Sequence, residues 1–186
     1  MAISRPPLFS RAVFESTRNN DLYTQAPRLD ALRILMVDDE PDSRSALVKV
    51  LQRAGAIVAA AGSVAEALQI IDTVQPQVLL SDIGMPIQDG YDLIRLVRKN
   101  GRTAHDLPAI AVTAYAQDDD VREAYLAGFQ LLIAKPVDPD NLISLIAGIA
   151  GRTGIAVHDT QLTNEGRLKF MLESSARLRK ASAEPG

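Results

Sequence analysis

The sequence predicts an α/β protein built on a five-stranded parallel sheet with helices on both faces. Five short apolar runs recur between residues 33 and 134: Arg33–Val37, Ile57–Ala61, a run ending at Asp82, Leu107–Thr113 and Gln130–Ala134. They are too short to be helices, and Val78-Leu79-Leu80 is apolar without a break, the pattern of a strand covered on both faces. A segment with helical spacing follows each run, and this alternation is the signature of successive βαβ units.

Taken in order, Arg33–Val37 is the first strand and Asp38-Asp39-Glu40 follows at once. Pro41 and Asp42 open a helix with Leu47, Val50 and Leu51 at helical spacing, and Gly55 stops it. Ile57–Ala61 is the second strand. Ser63, with Glu66 three residues on, is an N-terminal cap for a helix that turns Ala67, Leu68 and Ile71 inward. After Pro76 comes the strand ending at Asp82. Gly84, Met85-Pro86 and Asp89-Gly90 beyond it are turn chemistry. Tyr91–Asn100 is a helix with Leu93, Ile94 and Val97 on one face, ended by Gly101. Leu107–Thr113 is the fourth strand, and Asp118–Ala127 is a helix whose three aspartates suit its N-terminus. Gln130–Ala134 is the fifth strand, stopped by Lys135-Pro136, and Pro139–Ala150 is the last core helix.

Composition narrows the function. The chain has 186 residues, 47% hydrophobic and 23% charged, with a net charge of -3, which is the balance of a globular protein with no strong attraction to nucleic acid. It has no cysteine, so a disulfide framework and a thiolate metal site are excluded. The expected location is the cytoplasm. The first thirty residues lack the apolar segment of a signal peptide. The apolar run from Leu142 to Ile149 falls far short of the ~20 residues that span a membrane.

The chemistry stands at the strand ends. In a parallel sheet the ends of strands one, three, four and five share one edge, so Asp38-Asp39, Asp82, Thr113 and Lys135 converge where open α/β sheets bind ligands. Three carboxylates together repel one another and favour a cation. With oxygen ligands alone, that cation is a hard one such as Mg²⁺. A lysine and a hydroxyl opposite complete a site for a phosphoryl group. Each residue alone has a plainer reading: Asp38-Asp39-Glu40 as an acidic helix start, Asp82 as a turn residue, Thr113 as strand filler and Lys135 as surface charge. Their convergence favours the site. Met36 and Met85 read as core filler, and His105 and His158 as solvated loop residues.

With this order of strand ends, residues 33–150 resemble the receiver domain of two-component response regulators. The resemblance implies the flavodoxin-like, doubly wound strand order 2-1-3-4-5. It also implies that Asp82 accepts a phosphoryl group from a histidine kinase or phosphotransfer protein. Asp38, Asp39, Asp82 and the backbone carbonyl of Gly84 would hold Mg²⁺. Thr113, with Ala114 beside it, and Lys135 would contact the phosphoryl oxygens, and Pro136 would follow a cis peptide. Such a protein is a phosphoacceptor switch rather than an enzyme. The same segment could belong to a hybrid histidine kinase. A Mg²⁺-dependent aspartyl-phosphate phosphatase is the alternative from another class, and it normally wants a second aspartate where Gly84 stands.

Two positions depart from the family pattern. Leu132 replaces an aromatic that moves with the switch, leaving Tyr115 either to take part of that role or simply to pack on its loop. Gln130 and Leu131 replace acidic residues, which suggests an apolar signalling face and a homodimer. The resulting division is 1–30 as an N-terminal extension, 31–150 as the receiver domain and 151–186 as a tail. A short helix around Arg11–Thr17 is possible in the extension. In the tail, Leu168, Met171 or Leu172, Ser175 and Leu178 form an amphipathic stripe. A lone helix of that length is marginal in water, so it should dock on this domain, on a second copy or on a partner.

Overall fold

Strands and helices alternate along the chain: β1 (Arg33–Val37), α1 (Pro41–Arg53), β2 (Ile57–Ala61), α2 (Val64–Val74), β3 (Val78–Asp82), α3 (Gly90–Lys99), β4 (Ala109–Thr113), α4 (Asp118–Ala127), β5 (Leu131–Ala134) and α5 (Pro139–Ile149). This computed structural model describes residues 28–151, 168–169 and 171–176. The expected helix at Arg11–Thr17, His158 and Leu178 lie outside the described residues.

The sheet is wholly parallel in the order β2-β1-β3-β4-β5. All five residues of β3 and of β4 are buried, as continuous apolar runs require. Side chains alternate between two cores. Leu35, Val37, Leu79 and Leu132 pack with α2, α3 and α4, while Ile34, Met36, Leu80, Leu131 and Ile133 pack with α1 and α5. Met36 and Met85 are core residues, as expected. The packed region also takes in Leu29, which is fully buried in the second core.

The element boundaries have local causes. Ser63 caps α2 by accepting from Glu66 N. Asp89 and Asp92 form a reciprocal cap, so α3 starts at Gly90, one residue earlier than the sequence suggests. That start demands glycine: a Cβ at position 90 would lie 2.3 Å from the Asp82 carbonyl oxygen. β4 starts at Ala109, two residues later than expected, because Leu107 N is committed to Thr103 O in the preceding turn and Pro108 has no N–H to give. Gln130 lies just outside β5, with its amide oxygen accepting from Ala109 N.

The tail contributes a packed helical piece. Residues 168–169 and 171–176 are helical; Met171 is fully buried in the first core and Leu172 packs against it. Ser175, one turn further on, is buried and its Oγ donates to Leu132 O at 3.1 Å. Of the three docking options, the described residues show this segment on its own domain.

Candidate functional site

Parallel register aligns the strand ends. Val37 pairs with Ser81, Asp82 with Val112, and Thr113 with Ala134, so the residues just past β1 and β5 flank the end of β3. Asp38, Asp39 and Asp82 each present a carboxylate oxygen within 4.8 Å of the others. Lys135 Nζ lies 3.1 Å from Asp82 Oδ1 and 3.2 Å from Asp38 Oδ2.

The three carboxylates differ in freedom. Asp38 is fully buried and held on both oxygens: Glu40 N donates to Oδ1 at 2.9 Å, while Ser43 Oγ at 2.7 Å and Lys135 Nζ share Oδ2. Arg44 donates to the Asp38 carbonyl. Asp38 thus anchors the turn just ahead of α1 through the Glu40 N–H, and this role coexists with membership of the cluster. Asp39 is half-buried. Asp82 is buried against Lys135, and the backbone of Gly84 runs beside it, where a Cβ would lie 3.8 Å from Asp82 Oδ2.

Burial and charge oppose each other here. Burial, first, pushes the Asp82 carboxyl above the ordinary aspartate range. Lys135 pulls it down by hydrogen bond and charge, and Asp38 and Asp39 push it further up. For Lys135, burial works against the charged form, but the hydrogen bond and charge of Asp82, joined by Asp38, outweigh it and hold the ammonium above its ordinary value. One lysine thus faces an excess of negative charge on the two aspartates beside it.

On the far side, Thr113 is buried and its Oγ1 accepts from Tyr115 N at 3.1 Å, a turn that shapes the start of the β4–α4 loop. Ala114 is exposed, and so is the Tyr115 ring, at 74%. Leu132 is buried in the first core. The Lys135–Pro136 peptide is cis. The structure thus brings Asp38, Asp39, Asp82 and Lys135 together and sets Thr113 at the same edge; Tyr115 points to solvent and Leu132 lies inside. His105 is exposed on its loop, paired with Asp106 at 3.6 Å.

Sequence reading missed Ser43 and Arg44. Their signal was position: the first turn of α1 places residues five and six after Asp38 back over the strand end. It also took Gln130 and Leu131 as marks of an apolar signalling face. Leu131 is only 1% exposed, in the second core, so its side chain is interior packing rather than part of that face.

The family profile of the response regulator receiver domain matches residues 34–147. The chain belongs to this receiver-domain family. A 14.6 kDa protein of Leptolyngbya boryana is 45% identical over 120 residues, covering 63% of this chain and 89% of that protein. Response regulator Rre1 of Synechocystis is 31% identical over 124 residues, covering 66% of this chain. The receiver spans 53% of Rre1, about half of that relative's length. A putative response regulator of Chloroflexus aurantiacus has a closely similar fold, with a TM-score of 0.61 and 32% identity over 66% of this chain and all of that one. No helix among the described residues is long and apolar enough to cross a membrane.

Proposed function

We propose that this receiver domain is a phosphorylation switch in which Asp82 takes a phosphoryl group from the phosphohistidine of a histidine kinase or phosphotransfer protein, and that the switched form signals by protein contact. The observation that carries the reading is the Lys135 ammonium within 3.2 Å of carboxylates on both β3 and the β1–α1 turn.

The donor set fits Mg²⁺. The three aspartates supply oxygen alone, within 4.8 Å, with the Gly84 backbone alongside. When bound, Mg²⁺ would offset negative charge on the transferred group. Asp38, Asp39, Asp82 and the Gly84 carbonyl would hold it, with the Asp38 carboxylate steadied by Ser43 and Glu40 N. The chain's own residues do the rest. An Asp82 oxygen attacks phosphorus and forms the P–O bond of an acyl phosphate. The P–N bond breaks, its electron pair returns to the imidazole, and that nitrogen takes up a proton. Lys135 and the Thr113 hydroxyl bind phosphoryl oxygens. No catalytic turnover of an external substrate is part of this reading.

Mass spectrometry after incubation with acetyl phosphate and Mg²⁺ tests it. The wild-type chain should gain the mass of one phosphoryl group and Asp82→Asn none; equal gain in both, or undiminished gain in excess EDTA, refutes the assignment.

A further inference from the structure

Ser81 is a fully buried hydroxyl one residue before Asp82, outside both the carboxylate cluster and the contacts of Lys135. Alternation along β3 sets its side chain on the face of Leu79, in the first core, where a polar group is costly unless it is bonded. Its Oγ donates to the Asp82 carbonyl at 2.9 Å.

Beyond Asp82 the backbone is pinned at each step. Ile83 N donates to Val112 O on β4 at 3.0 Å. Ile83 O accepts from Met85 N at 2.9 Å, closing a γ-turn about Gly84, and from Gly90 N at 3.0 Å. These anchors are all backbone groups, whereas the Asp82 carbonyl is held by a side chain. Gly90 crowds that same carbonyl, since a Cβ there would lie 2.3 Å from the oxygen. With Gly90 pressed against it and Ser81 out of reach of solvent, water has no room to replace the hydroxyl. Removing the hydroxyl orphans a buried acceptor, which costs more than the bond itself contributes. The chain relieves that cost by rotating the Asp82–Ile83 peptide, and this rotation changes how Asp82 and Gly84 stand to one another.

We propose that Ser81 is a positioning residue for phosphoryl transfer: its hydroxyl fixes the Asp82–Ile83 peptide and thereby the placement of the Asp82 carboxylate relative to the Gly84 carbonyl. It touches neither the ion nor the phosphoryl group, and acts only through the backbone of its neighbour. The inference rests on the reading of Asp82 as a Mg²⁺-assisted phosphoacceptor.

Calorimetric titration of Mg²⁺ into the full-length chain, with no phosphodonor present, is the first readout. Ser81→Ala should bind Mg²⁺ roughly tenfold more weakly than wild type, as loss of an orienting hydrogen bond behind a metal ligand does. Ser81→Cys should be weakened to a similar degree, because it restores the volume but supplies only a weak S–H donor. The second readout is labelling by acetyl phosphate at Mg²⁺ concentrations that saturate each chain, which should stay severalfold slower in both variants because the carboxylate itself is displaced. A serine with a merely structural role would lower the melting temperature and leave Mg²⁺ affinity and labelling of the folded chain unchanged, and that result overturns the proposal. So does a Ser81→Cys chain that matches wild type while Ser81→Ala does not, since the effect would then belong to packing volume. A wild-type chain that neither binds Mg²⁺ nor is labelled refutes the phosphoacceptor reading and this inference with it; a wild type that does both, with Ser81→Ala its equal, refutes this inference alone.

Discussion

Lys135 Nζ bridges Asp82 and Asp38, at 3.1 and 3.2 Å, and so ties β5 to both β3 and the β1–α1 turn. Because Asp38 is wholly buried, removing that ammonium leaves a desolvated carboxylate supported only by Ser43 and Glu40 N. Lys135→Ala should therefore cost about 1–3 kcal/mol while keeping the fold. Millimolar Mg²⁺ should restore part of the loss. Thermal unfolding with and without Mg²⁺ checks both statements, and a variant as stable as wild type in EDTA would contradict them.

Asp82 gives a pH dependence of definite sign. Its folded-state pKa is raised, mainly by burial, so between the ordinary aspartate value and the raised one the native state binds more protons than the unfolded state. Stability therefore falls as pH rises through that window, and the ionised carboxylate is a cost at neutral pH. In EDTA, Asp82→Asn should melt higher than wild type at pH 7, and the advantage should fade as pH drops below the ordinary aspartate range. An equal or lower melting point at pH 7 would show that Lys135 fully offsets the burial.

Gly90→Ala tests the close approach of α3 to the phosphoacceptor. The new methyl would meet the Asp82 carbonyl at 2.3 Å and the Ile83 Cα at 2.9 Å, both backbone atoms that cannot rotate away. The expected cost is about 1–3 kcal/mol from overpacking, with slower labelling by acetyl phosphate because Asp82 is displaced. Unchanged labelling and stability would mean the loop yields freely.

Arg98 is a half-buried fastener far from the site. Its guanidinium donates to the carbonyls of Gly128, Arg102, Thr103 and Leu107 and to Gln130 Oε1, and burial lowers its pKa to about 10. A lysine there cannot reach opposed carbonyls at once. Arg98→Lys should lose about 1–3 kcal/mol in urea unfolding, since several part-buried acceptors are left unpaired, with phosphoryl labelling unaltered.

Ile87 carries backbone strain at the mouth of the site. Its φ is +72°, Gln88 N bonds back to Pro86 O, and the side chain is fully exposed, so a β-branched residue holds a left-handed γ-turn with no packing in return. Ile87→Gly should raise stability by about 0.5–1 kcal/mol, relief of strain exceeding the added chain entropy. A drop in melting temperature would show the strain is absent.

Most of the fold could be read from the sequence because apolar runs and turn residues alternate cleanly, and the site could be read because parallel topology sends every strand end to one edge. What escaped were contacts whose partners are distant in sequence. Arg98 reaches Gly128, Gln130 reaches Ala109, and Ser175 reaches Leu132 across 43 positions, and no local pattern encodes those distances. Leu131 was misread for a related reason. Adjacent strand residues face opposite ways, and only the helices overhead decide whether each direction is surface or core.

The two margins of the sheet are unequal. β5 lies under the helical segment 171–176, whereas β2, at the opposite margin, shows Ile57 58% exposed and alanine along most of its length. An uncharged edge strand of this kind is where unwanted sheet growth begins. During concentration or storage, self-adhesion of this protein should start at β2, and a lysine in place of Ile57 is the change that would keep it in solution.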